Sequence, residues 1–226
     1  MKHIMYTLYF FGTFFSCTSA FAQQVDSDLL AIKERLDAII AYQADMSLDI
    51  HADFIKMPTK YATVTYTKDQ PLQFSSDDFI LIPKKGLDVT MSQLFEHPFI
   101  TVNRGFEKQN GKTYKVVNVI PNDDKSDYSI AKIVMDTVMT RIVSTEIHTK
   151  KEGSFTLQMT YSDKTTILPE QLEIFFEMER LRLPFNFLGK NAEIDRKKMR
   201  SQESQSGSII LMFKDYKIKY GSSVSR

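Results

Sequence analysis

Strict alternation of apolar and polar residues, short turn-rich connections and one leading amphipathic segment point to a mainly β protein. The expected architecture is an incomplete, open antiparallel β-barrel or a strongly curved sheet under a helical lid. Residues 44–54 are the clearest evidence. Ala44, Met46, Leu48, Ile50, Ala52 and Phe54 alternate without exception with Asp45, Ser47, Asp49, His51 and Asp53. Such a strand has one apolar and one wet face. Alternation alone leaves a two-sheet sandwich as the structural alternative.

Residues 1–22 read as a secretory signal. Lys2 supplies the positive start, an apolar run extends from Ile4 to Phe15, and Ala20-Phe21-Ala22 precedes Gln23. Small residues at those two positions predict cleavage after Ala22 and a periplasmic location. The remainder, 23–226, is expected to be one domain. In a second reading, Phe14-Phe15-Ser16-Cys17 is a lipoprotein signal and Cys17 tethers the protein to a membrane. A retained N-terminal membrane helix is a third, against which the run is short for a bilayer. Cys17 is the only cysteine, so cleavage after Ala22 leaves no thiol.

The spacing next predicts a helix over 26–41. Leu29, Ile32, Leu36, Ile39 and Ile40 share a face, opposite Lys33, Glu34 and Asp37. The strand 44–54 follows, ended by Met57-Pro58, with 61–67 as its partner. Pro71 precedes a strand over 74–82, which Pro83 and Lys84-Lys85-Gly86 close. Thr90 and Gln93 make a capping-box spacing for a short helix carrying Met91, Leu94 and Phe95 on one face, and Pro98 stops it. Strands are then expected over 99–103 and 112–121. The polar turn Asn122-Asp123-Asp124 leads into another over 128–136. A hairpin joins 141–149 to 154–162 through Lys150-Lys151-Glu152-Gly153, with Phe155, Leu157, Met159 and Tyr161 alternating on its second arm. Leu168-Pro169 opens a strand with Leu172, Ile174, Phe176 and Met178 on one side. Residues 188–206 are charged and suit an exposed loop or short helix, before a last strand over 208–220.

Composition excludes several functions. The chain has 29 basic and 28 acidic residues, and residues 1–22 contribute Lys2 alone, so the remainder is balanced. A nucleic-acid partner calls for a basic excess that is missing here. His51, His97 and His148 lack metal-ligand spacing, and there is no phosphate loop, nucleophile elbow or cysteine nucleophile. Asp49, Asp53, Asp136 and Glu173 occupy positions where strands place solvated side chains. No enzyme activity, cofactor or metal is therefore expected. In excess are methionine and aromatic residues, among them Met46, Met57, Met135, Met159 and Met212. These suit either an ordinary sheet core or an adaptable acyl-chain pocket.

The order of pieces resembles the periplasmic outer-membrane lipoprotein carrier family, the LolA-like proteins. The cues are the exported amphipathic helix running into 44–54 and the strand ending Ile80-Leu81-Ile82-Pro83. Later come Ile133-Val134-Met135-Asp136 before Arg141-Ile142-Val143, a hairpin ending in Tyr161, and Leu168-Pro169 leading into Leu172-Glu173-Ile174-Phe175. The resemblance implies an open barrel lidded by helices around an apolar cavity for lipoprotein acyl chains, with trafficking to the outer membrane as the role. Leu29, Leu36 and Ile40 would then line the lid. Met46, Leu48, Ile50, Phe54, Val64, Tyr66, Ile80 and Ile82 would line the cavity. The family's lid-holding arginine on an early strand has no counterpart, since 44–83 carries Lys56, Lys60 and Lys68 but no arginine. Expected partners are lipoprotein acyl chains or another lipid, with an inner-membrane exporter and an outer-membrane receptor, the protein itself being monomeric. The alternatives are a lipid sensor or membrane-tethered receptor of the same fold, and an exported hydrolase using paired carboxylates.

Overall fold

The computed structural model describes residues 25–76, 97–151, 153–163, 165–178, 191–201 and 204–221. The expectations for the signal at 1–22, for Ile80 and Ile82, and for the helix around Leu94 lie outside these residues. The described chain forms helices α1 (Ser27–Asp37) and α2 (Arg196–Ser201). Its strands are β1 (Ile39–His51), β2 (Ile55–Lys56), β3 (Lys60–Thr67), β4 (Gln73–Ser75), β5 (Phe99–Gln109) and β6 (Lys112–Pro121). They continue with β7 (Tyr128–Asp136), β8 (Arg141–Thr149), β9 (Ser154–Thr160), β10 (Gln171–Met178), β11 (Glu193–Ile194) and β12 (Gln205–Tyr220).

Ten of these strands make a single antiparallel sheet in the order β4-β3-β1-β12-β10-β9-β8-β7-β6-β5. β4 and β5 are its two edges and do not pair, so the sheet is open. That selects the open curved sheet over the sandwich. β2 and β11 form a small separate ribbon.

Helix α1 starts where Asp26 caps it, accepting hydrogen bonds from the backbone N–H groups of Asp28 and Leu29. Asp28 in the first turn and Arg35 in the last complement the helix dipole. The helix ends at Asp37, four residues short of the expected 41, because Ile39 and Ile40 already belong to β1. Their apolar side chains satisfy helical spacing equally well, but both are β-branched and fit a pleated strand. The joint is closed by Gly221 N–H donating to Ala38 O at 2.9 Å and Lys68 N–H donating to Ile40 O at 2.9 Å.

The expected strand over 44–54 leaves the main ladder at His51, and Phe54 sits in the tight turn before β2. β5 runs to Gln109 rather than to 103, past a register shift between Asn103 and Phe106 that Gly105, at φ 81°, makes possible. β9 ends at Thr160, two residues early, and β10 begins at Gln171 rather than 168. The charged 188–206 stretch contributes β11, α2 and the start of β12 at Gln205. β6, β7 and β8 have their expected bounds.

Register sorts the side chains into two faces. Leu48 stands beside Leu211, Leu172 and Met159 in successive strands, and Ile50 beside Ile209, Ile174 and Leu157. Cross-strand partners point the same way, so these rows share one inner face. The second row continues through Thr145, Ile133 and Val117. Leu29 and Ile32 of α1 belong to the same buried cluster as Met46, Leu48, Ile133 and Leu157. Asp49 and His51 take the outer face by alternation.

Candidate lipid-binding face

The inner face is a continuous apolar surface drawn from β3, β1, β12, β10, β9, β8, β7 and β6. Met46, Leu48, Val64 and Phe54 are each at most 3% exposed. Ile50 and Leu36 pack partly buried against this cluster. Tyr66 stacks on Tyr42 at 5.1 Å, and Tyr42 meets Tyr216 edge-on at 5.8 Å. Ile40 sits at the start of β1, touching the Gly221 position rather than lying on the helix. Its neighbour Ile39 is the buried one, at 2%.

Among the described residues, polar side chains also stand on the face. Lys60, beside Leu48, is buried, as is Thr145, between Leu157 and Ile133. Thr145 Oγ1 has no hydrogen-bond partner among the described residues. Lys115 stands beside Met135. Its ammonium lies 2.7 Å from an Asp26 carboxylate oxygen and 2.6 Å from one of Asp28. Burial opposes the charge on Lys115, but the bonds to these two carboxylates outweigh it and raise its pKa.

α1 is thus tied at its N-terminus, where Asp26 N–H also donates to Thr101 Oγ1 at 2.8 Å. A second tie holds its C-terminal turn. The Arg35 guanidinium donates to the carbonyls of Met139 (2.6 Å), Thr140 (3.3 Å) and Thr165. The loops it grips are themselves braced. Arg141 lies 4.1 Å over the Tyr161 ring and donates to Asp163 O at 2.7 Å. Tyr161 OH donates to Ile142 O at 2.6 Å, and burial holds its pKa well above the usual phenol value. Tyr216 OH donates to Pro169 O at 2.8 Å, and burial again raises its pKa.

Both ties escape a linear reading of the sequence, because each joins α1 to residues far along the chain. Arg35 carries no distinguishing signal: like Lys33, it flanks the apolar arc of the expected helix.

The four carboxylates named for the hydrolase alternative are held apart. Asp49 accepts from Thr59 Oγ1 at 2.5 Å, Asp53 pairs with Lys198 at 3.4 Å, and Asp136 caps the turn before β8 through the N–H groups of Val138 and Met139. Glu173 lies on the outer face, with Ile210 of β12 between it and Asp49. His97 pairs with Asp123 at 3.3 Å, and His148 contacts Ser154 Oγ at 2.9 Å and Glu146 at 3.2 Å. No metal-competent cluster of three or more His, Cys, Asp or Glu occurs among the described residues.

No family model matches the chain, and no curated protein matches it. Solved structures do. A DUF1329 family protein from Desulfovibrio piger is 11% identical with a TM-score of 0.50, over 89% of this chain and 95% of that one. A structure described as an outer membrane lipoprotein-sorting protein domain, from Vibrio parahaemolyticus, is 15% identical with a TM-score of 0.48, over 88% and 94%. A LolA superfamily protein from Nitrosomonas europaea is 10% identical with a TM-score of 0.48, over 84% and 93%. At these identities the likeness is one of fold. With a TM-score of 0.50, the DUF1329 family protein shares the fold of this chain.

Proposed function

We propose that this protein is a periplasmic carrier that binds the acyl chains of lipoproteins or another lipid on its inner face beneath α1, without catalysis. The observation that carries the reading is how the apolar face is covered. Leu29 and Ile32 of α1 are fully buried against it and Leu36 packs partly buried, and the rest of the attachment is the polar ties at Lys115 and Arg35. Burying two such side chains contributes about 3–6 kcal/mol. An acyl chain returns about 0.8 kcal/mol per methylene, so about four to eight buried methylenes offset the burial of those two side chains, and further ones offset the polar ties. A lipid tail can therefore displace the helix, and the helix can close again once the tail leaves.

In this reading the signal is cleaved after Ala22, the mature protein is monomeric, and membrane exporters and receptors supply and accept the cargo. Leu29 and Leu36 belong to the moving cover, whereas Ile40, on β1, stays with the sheet. The solved structures described as lipoprotein-sorting and LolA superfamily proteins are consistent with that role.

A fluorescent fatty acid tests it. The wild type should bind with saturation. Ile50→Glu, which puts a carboxylate among Ile209, Ile174 and Leu157 where desolvation without a partner is costly, should lose binding while keeping its circular dichroism spectrum. Asp49→Ser on the outer face should bind like the wild type. A wild type that fails to bind acyl probes would remove the carrier reading.

A further inference from the structure

Among the described residues, Thr145 is the one whose buried polar side-chain atom has no hydrogen-bond partner. It lies on β8 and is 1% exposed. Its register partners, Leu157 of β9 and Ile133 of β7, place it on the inner face. The row continues through Ile174 on one side and Val117 on the other, so aliphatic residues flank the hydroxyl in both directions. Leu157 and Ile133 share a buried cluster with Leu29 and Ile32, which puts Thr145 in the surface that α1 covers.

Packing does not account for a threonine at this point. Valine fills the same volume without a polar atom, and the neighbouring strands all use aliphatic residues in this row. Lys115 on the same face is satisfied within the protein by Asp26 and Asp28. The Thr145 hydroxyl is not, so its partner can arrive with whatever takes the place of α1 over the face. A bare hydrocarbon chain would leave the hydroxyl unpaired. A carboxylate at this depth would be stripped of water among aliphatic side chains, at a large cost. An amide brings an N–H that needs an acceptor of its own, which the flanking residues do not offer. The carbonyl oxygen of an ester accepts one hydrogen bond here and brings neither a charge nor a second donor.

We propose that Thr145 is a specificity residue of the inner face, donating its hydroxyl hydrogen to the carbonyl oxygen of an ester-linked acyl chain. The inference rests on the carrier reading and adds to it which part of the cargo is recognised: the linkage as well as the tail.

Displacement of the fluorescent fatty acid from the protein tests the proposal, using two glycerophosphocholines of equal chain length. One carries its chains through esters and the other through ethers. The wild type should bind the ester lipid about tenfold more tightly, the contribution of one hydrogen bond to an otherwise unpaired hydroxyl. Thr145→Val should bring that ratio to about one, chiefly by weakening the ester lipid. Thr145→Ser retains a hydroxyl and should retain the preference. Ser144→Ala, one residue away on the outer face, should leave both affinities as in the wild type. A purely structural role for Thr145 would shift both lipids alike. The same ratio in the wild type and Thr145→Val, or a bound fatty acid that neither lipid displaces, overturns the proposal and leaves the carrier reading standing. A wild type that binds neither the fatty acid nor either lipid removes the carrier reading and this inference with it.

Discussion

Thr145 is the least comfortable side chain on the inner face. It is 1% exposed, with Leu157 and Ile133 beside it and no partner for its hydroxyl among the described residues. A buried hydroxyl without a partner costs about 1–3 kcal/mol. Thr145→Val removes that cost at nearly constant volume. It should therefore raise the free energy of unfolding by about 1 kcal/mol, or about 2–4 °C in Tm for a chain of this size. Urea or thermal unfolding reads the result, and a less stable variant would mean the hydroxyl is already satisfied. Gly207 solves a different local problem. A Cβ there would stand 2.7 Å from both the His51 carbonyl oxygen and the ring of Phe176. Only a residue without a side chain lets Phe176 lie across β12 at that point. Neither feature is legible in the sequence. A threonine in an alternating strand reads as a wet-face residue, and a glycine before a strand reads as a turn.

At the scale of the element, α1 is a cover fixed at two points. Lys115 and Arg35 each make several charge-assisted hydrogen bonds, and such bonds contribute about 1.5–3 kcal/mol apiece when partly shielded. Replacing both by Met should let α1 open independently of the sheet. Its amides, 27–37, should exchange at least about a hundredfold faster, while those of β1 keep their protection. Unchanged exchange in α1 would mean that Leu29 and Ile32 alone hold it. The ends of α1 also show where sequence reading succeeds and where it stops. The near end is legible to within a residue: the expected helix begins at Asp26, which caps α1 and does not itself belong to it. The far end is ambiguous because Ile39 and Ile40 satisfy both periods. β6, β7 and β8 are legible to the residue because Asn-Gly, Asn-Asp-Asp and Lys-Lys-Glu-Gly sequences lie between or beside them. β2 and β11, of two residues each, are too short to carry a period.

For the molecule as a whole, titration at high pH acts in one direction. Burial raises the pKa of Tyr128 to about 12 and also lifts those of Tyr161 and Tyr216, while the Asp26 and Asp28 pairs raise that of Lys115. Each group binds its proton more tightly in the folded state than in the unfolded chain, where a phenol titrates near 10.0. The stability they contribute is complete below about pH 10 and falls as pH rises from there through about 12. The protein should unfold cooperatively in that window, with part of its phenolate absorbance appearing only together with loss of the β signal by circular dichroism. Tyrosines that all ionise near pH 10 in a still-folded protein would contradict this. The strand order carries a further consequence, concerning time. β5 to β10 are neighbours in both sequence and space and can assemble as successive hairpins. β1, one of the first strands to be made, pairs with β12, which follows every other described strand, and β12 alone joins β1 to β10. Until residues 205–220 arrive, the sheet is two halves, each with a bare apolar edge that could pair wrongly. The inner face comes into being only with the arrival of β12.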